Sequence, residues 1–216
     1  MNSIPNTPDE RLFDRIADAL VNQGYIICDQ ALDSALTSAL LHRVQHLDDQ
    51  AFQRAGVGRE QAQQLNDRIR LDQIRWLEQL DASEAAYLAW MERLREGLNR
   101  RLFMGLFDYE CHFAHYPPGA FYKRHLDAFR GQTNRILTTV FYLNSEWQDD
   151  DGGELLIYPG QGDCVLERVA PQSGRLVVFL SDRFPHEVLP ARMDRYSIAG
   201  WFRVNASIGN QIDPPR

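Results

Sequence analysis

Apolar residues recur at helical spacing through much of the first half of the chain, and in short strand-like runs through the second. Thr7-Pro8-Asp9-Glu10 reads as a helix start: Thr7 caps, Pro8 takes the first helical position, and Glu10 completes a capping box. Leu12, Ile16 and Leu20 follow with Phe13 and Ala17 beside them, and Gly24 ends the helix. A short strand follows at 25–29. A second helix carries Leu36, Leu40, Val44 and Leu47 on one face, and a third runs from about Ser83 to Leu102 with Tyr87, Met91, Leu94, Leu98 and Leu102 as its stripe. Residues 50–80 mix glycine, charge and isolated apolar anchors, which predicts an irregular or mobile segment.

After residue 105 the period changes. Short β-rich runs alternate with turn signals such as PPG, DDDGG, PGQGD and PQSG. Closely spaced strands of this kind predict a sandwich, a jelly roll or a barrel. No repeat, low-complexity segment or composition shift marks a linker. The expectation is one domain over 1–216, with 1–104 mainly helical support and 105–205 the β core.

Composition narrows the class. With 216 residues, 44% apolar and 25% charged, the chain has the make-up of a soluble globular protein. Its 30 acidic against 23 basic residues, a net charge of −7, argue against a nucleic-acid-backbone binder. Cys28, Cys111 and Cys164 are odd in number and far apart, so the expectation is buried small hydrophobes in a reducing compartment, not disulfides or zinc. The first residues lack the pattern of a signal peptide, and no apolar run reaches membrane-spanning length. A cytoplasmic protein without a membrane partner is the default.

The chemistry gathers around FYKRHLDAFR, residues 121–130. His125 and Asp127 stand two apart at a strand end, and His186 follows another predicted strand. Two histidines and one carboxylate form the facial triad of non-haem iron(II) oxygenases, which leaves one face of the ion open. The spacing alone is weak, because a histidine on a strand is more often an ordinary core or surface residue. Arg195 adds weight. Period two puts Arg195, Ser197, Ala199 and Trp201 on one face, and an inward arginine is costly without a partner. A dicarboxylate such as 2-oxoglutarate would pair with its planar fork, with Ser197 adding a hydroxyl. Tyr116 and Tyr142 supply phenols within reach of such a cosubstrate, although rim packing explains either one nearly as well.

Taken together, HYPPGAFYKRHLD, FYLN, DGGEL, GRLVVFLSDRFPHEVLP and RYSIAGWF resemble the prolyl hydroxylase branch of the Fe(II)/2-oxoglutarate oxygenases. NDRIRLDQIRWL resembles its bacterial members. The resemblance implies a mainly β protein with flanking α-helices around a double-stranded β-helix, the jelly-roll core. It implies His125, Asp127 and His186 as iron ligands, and Arg195, Tyr116, Tyr142, Ser197 and Trp201 as the lining for 2-oxoglutarate, with ascorbate as reductant. Arg135 matches a position near the peptide substrate. Tyr122 and Phe129 offer rim aromatics, and Trp76 lies on the expected lid. The reaction implied is prolyl 4-hydroxylation in a protein loop with dioxygen as oxidant, and elongation factor Tu is the expected partner. The turn YPPGAFY is shorter than in the animal enzymes. Collagen-type relatives have lysine where this chain has Arg195, halogenase relatives lack the carboxylate of Asp127, and the additional arginines of the nucleic-acid demethylases are not found. Two alternatives stay open: an oxygenase acting on another side chain or a small molecule, and a non-enzymatic jelly-roll metal or ligand sensor.

Overall fold

The computed structural model describes residues 7–55, 68–79, 81–128 and 134–205. Helix α1 spans Pro8–Asn22, with Thr7 Oγ1 accepting from the Glu10 N–H at 3.2 Å. The capping box forms only by half. The Glu10 carboxylate is drawn instead to Arg100 at 3.0 Å and Arg101 at 2.7 Å, both near the end of a later helix. Strand β1 is Tyr25–Cys28 and helix α2 is Ser34–Gln45. Leu47 lies past the end of α2 but still packs on the core.

The segment 50–80 departs from the expectation of irregularity. After a short 3-10 turn at Asp49–Ala51, Gln53–Arg54 forms strand β2 and Gln73–Trp76 forms strand β3. The strand pattern of β3 is hidden by charges whose partners lie elsewhere. Arg75 reaches Glu84 at 2.9 Å, and Arg70, just before the strand, grips the buried Asp72 through two nitrogens at 2.7 and 2.6 Å. Residues 56–67, the middle of the expected lid, lie outside the described residues.

Helix α3, Ala82–Leu102, is capped by Asp81 and buries Tyr87, Met91, Leu94 and Leu98 as its stripe predicts. Gly97 lets α1 approach, since a Cβ there would meet a ring carbon of Phe13 at 2.8 Å. Glu84 is fully buried and is held by Arg43 of α2 and Arg75 of β3, each at 2.9 Å, so one carboxylate ties three elements together. Cys28 and Cys111 are buried as expected, whereas Cys164 is exposed.

The remaining strands are β4 Leu106–Tyr116, β5 Tyr122–His125, β6 Arg135–Tyr142, β7 Leu155–Ile157, β8 Glu167–Val169, β9 Leu176–Leu180, β10 His186–Val188 and β11 Arg195–Val204. They build a seven-stranded antiparallel sheet in the order β1-β9-β6-β11-β4-β3-β2 and a four-stranded sheet in the order β5-β10-β7-β8. This is the double-stranded β-helix expected from the sequence. Along β11 the period of two divides two cores. Ile198 and Phe202 join the cluster under the helices, whereas Arg195, Ser197, Ala199 and Trp201 turn to the interior between the sheets.

Candidate active site

His125 is the last residue of β5, and Asp127 lies two residues beyond it. His186 opens β10, and the antiparallel register sets it directly opposite His125. Ligand atoms of the three residues lie within 4.8 Å of one another. The His125 Nδ1–H donates to the Lys123 carbonyl at 2.8 Å, and the His186 Nδ1–H donates to the Phe184 carbonyl at 3.1 Å. A carbonyl only accepts, so each neutral ring carries its proton on Nδ1 and presents a lone pair on Nε2. Those Nε2 atoms stand 3.5 Å from Oδ1 and 3.6 Å from Oδ2 of Asp127, too far for a charge-assisted hydrogen bond. Burial pushes the His186 imidazole down to about 4, with His125 beside it adding to the effect. Acceptors thus converge with no proton among them, an arrangement that calls for a cation. The donor set suits non-haem iron(II), and carbonyl partners on the outer nitrogens are the usual way such imidazoles are oriented.

A second layer fixes the carboxylate. Thr138 Oγ1 donates to Asp127 Oδ2 at 2.7 Å and the Trp201 indole N–H donates to the same oxygen at 2.9 Å. The Thr138 proton is committed to Asp127, so Ser181 donates to Thr138, 2.9 Å away. Thr138 and Trp201 face each other across β6 and β11. Neither Thr138 nor Ser181 carries a signal in the sequence, because their role exists only once the strand register is set.

Arg195 lies at the other end of the cavity and is 1% exposed. Its Nε–H donates to the Gly153 carbonyl at 2.8 Å and its Nη1 lies 3.4 Å from Ser197 Oγ. Its carbon centre sits over the rings of Tyr116 at 4.9 Å and Tyr142 at 5.1 Å. Arg195 Nη2 and Tyr142 Oη are buried without a hydrogen-bond partner. No carboxylate among the described residues pairs with this guanidinium. Two donors aimed at one closed end fit the distal carboxylate of a short diacid.

The rim is aromatic and basic. Tyr122 stacks on His125 at 3.6 Å, and Arg70 covers its other side at 4.2 Å. Arg135 lies over Trp201 at 3.6 Å and is held by Glu110 at 2.8 Å. Trp76 stands outside the cavity lining, its ring 5.2 Å from that of His112. Phe129 falls outside the described residues. Arg70, one of the arginines of the expected lid segment, lines the cavity, as does His112, which had no place in the sequence reading.

The comparisons agree with this geometry. The family model of the 2OG-Fe(II) oxygenase superfamily matches residues 111–203. Human prolyl hydroxylase EGLN3 is 32% identical over 203 residues, covering 87% of this chain and 81% of EGLN3. The crystal structure of a Pseudomonas putida prolyl-4-hydroxylase superposes with a TM-score of 0.80 at 41% identity, over 90% of this chain and 100% of that one. A Trichoplax adhaerens prolyl hydroxylase in complex with a hypoxia-inducible factor oxygen degradation domain peptide fragment matches with a TM-score of 0.80 at 31% identity, covering 90% of each chain. The chain spans only about 25% of the length of rat Egl nine homolog 1. The protein belongs to the prolyl hydroxylase family of the 2OG-Fe(II) oxygenases. Iron(II) and 2-oxoglutarate are its cofactors, and the converging acceptors and the unpartnered Arg195 and Tyr142 atoms are suited to receive them. Among the described residues no helix is long and apolar enough to cross a membrane.

Proposed function

We propose that the protein hydroxylates a prolyl residue within a protein segment, and that elongation factor Tu is its substrate. The observation that carries this reading is the one cavity with three convergent acceptors at one end and a carboxylate-free buried arginine at the other. When bound, iron(II) and 2-oxoglutarate would activate dioxygen toward an unactivated C–H bond: one oxygen atom becomes the new hydroxyl, the other enters succinate, and carbon dioxide leaves. The chain itself holds and orients. His125, Asp127 and His186 ligate the metal, with Thr138 and Trp201 fixing the carboxylate oxygen. Arg195 and Tyr142, helped by Ser197, grip the distal carboxylate, while Gly153 anchors the guanidinium from behind. Val140, Leu155 and Val188 supply apolar wall and keep water out. No residue need act as nucleophile.

A peptide substrate suits the rim. Tyr122 and Trp201 place apolar ring carbons at the mouth for a pyrrolidine ring, and Arg70 and Arg135, stacked on those rings, offer donors to flanking carbonyls and carboxylates. An X-Pro segment is extended and lacks one N–H, so it enters an apolar mouth at low desolvation cost. Purified elongation factor Tu is incubated with the protein, Fe(II), 2-oxoglutarate and oxygen, and oxidation is mapped by tandem mass spectrometry. Hydroxylation of a proline is expected. An unmodified factor beside hydroxylation of another protein would remove the substrate and leave the oxygenase standing.

A further inference from the structure

One group in the cavity has no part in metal or cosubstrate binding. His112 is 4% exposed, lines the cavity, and donates its Nδ1–H to the Phe113 carbonyl at 3.1 Å. That bond places the proton on Nδ1 and leaves Nε2 an acceptor with no hydrogen-bond partner among the described residues. The ring is fixed between two indoles, Trp76 at 5.2 Å and Trp201 at 5.5 Å.

Register says what this acceptor can meet. Successive inward rungs of β11 and β4 are Arg195–Tyr116, Ser197–Ala114, Ala199–His112 and Trp201–Glu110. His112 therefore lies four residues along the strand from the Arg195 rung, about 13–14 Å at the usual rise, and next to the rim. A short diacid gripped by Arg195 and turned toward the metal does not extend along the sheet to that rung, whereas a segment entering past Trp201 meets it first. Around the imidazole the cavity offers few acceptors. Ala114 and Ala199 are apolar, Arg70 carries only donors, and Asp127 is engaged by Thr138 and Trp201. A proline brings no N–H of its own, but the next residue does, and that N–H loses its water on entry.

We propose that His112 is a specificity-determining residue for the peptide, its Nε2 accepting the backbone N–H of the residue that follows the target proline. This rests on the prolyl hydroxylase reading above. Burial, with Arg70 close by, pushes the ring down to about 4, which keeps the acceptor form at neutral pH.

The test uses a synthetic peptide pool with one central proline and randomised flanks, read by mass spectrometry for a gain of oxygen. H112N keeps a donor for the Phe113 carbonyl and loses the acceptor, whereas H112Q places an amide oxygen near the Nε2 position. For H112N, the rate at subsaturating peptide should fall about tenfold, the effect of one lost hydrogen bond in a dry site. H112Q should stay within about threefold of the wild type, and both variants should bind 2-oxoglutarate and Mn(II) as the wild type does. With the most active peptide, replacing the amide after the proline by an ester should cost the wild type about the same factor and H112N nothing more. H112N matching the wild type, H112Q falling as far as H112N, or an ester effect that persists in H112N would overturn the proposal. A wild-type protein that turns over 2-oxoglutarate but leaves every pool proline unmodified would overturn the prolyl reading and this proposal with it.

Discussion

Strand β11 carries a buried arginine near each end, and the two have opposite surroundings. Arg203, 6% exposed, is gripped through two nitrogens by Asp108 and stands 3.5 Å from Glu110. Arg195, 1% exposed, has a backbone carbonyl, a distant hydroxyl and two aromatic rings, and no carboxylate among the described residues. A buried cation is costly unless it is paired, so a chain that supplies one partner and withholds the other marks the second as a receptor. Asp127 is the mirror image on the metal side, an anion fixed by two donors with two imidazole lone pairs beside it and no cation. The difference separates charge used to build the sheet from charge reserved for a ligand.

Stability tests that difference most forcefully. Arg203→Met leaves Asp108 buried without its partner, while Glu110 keeps Arg135, and should cost about 3–5 kcal/mol in denaturant unfolding. Arg195→Met, measured without 2-oxoglutarate, should cost nothing or stabilise, since it removes an uncompensated charge. Equal losses would break the comparison. At the metal end, Thr138→Val keeps shape and removes the hydroxyl that holds Asp127 Oδ2. Metal affinity, followed with Mn(II) or Co(II), should fall about 10–100-fold while the melting temperature without metal changes little. An unchanged affinity would place the Thr138–Ser181 pair in the scaffold alone. The smallest effect is expected from Ser197→Ala, whose hydroxyl is 3.4 Å from Arg195 Nη1. Affinity for 2-oxoglutarate should weaken by about tenfold or less, the scale of one neutral hydrogen bond.

Much of the site was legible because its residues announce themselves. The spacing of His125, Asp127 and His186 is weak alone, but Arg195 interrupts an inward face at period two and the surrounding motifs resemble a known family, which together single the set out. The stripes of α1 and α3 were equally plain, since their apolar spacing matches the helix. What stayed hidden depends on partners that only the fold brings together. Strand β3 looked irregular because Arg75 and Asp72 find their counterions in Glu84 and Arg70. The Glu10 carboxylate left its capping box for Arg100 and Arg101, some 90 residues on. Thr138, Ser181 and His112 read as ordinary strand residues until register sets Thr138 opposite Trp201 and His112 between Ala199 and Trp76.

The central claim is that Arg195 receives a carboxylate brought by the cosubstrate. Calorimetric titration of 2-oxoglutarate into Mn(II)-loaded protein, wild type against Arg195→Met, tests it directly. A desolvated charge pair is worth about 2–5 kcal/mol, so the variant should bind at least about 30-fold more weakly while its affinity for Mn(II) alone is unchanged. Equal affinity of the two proteins for 2-oxoglutarate would contradict the account.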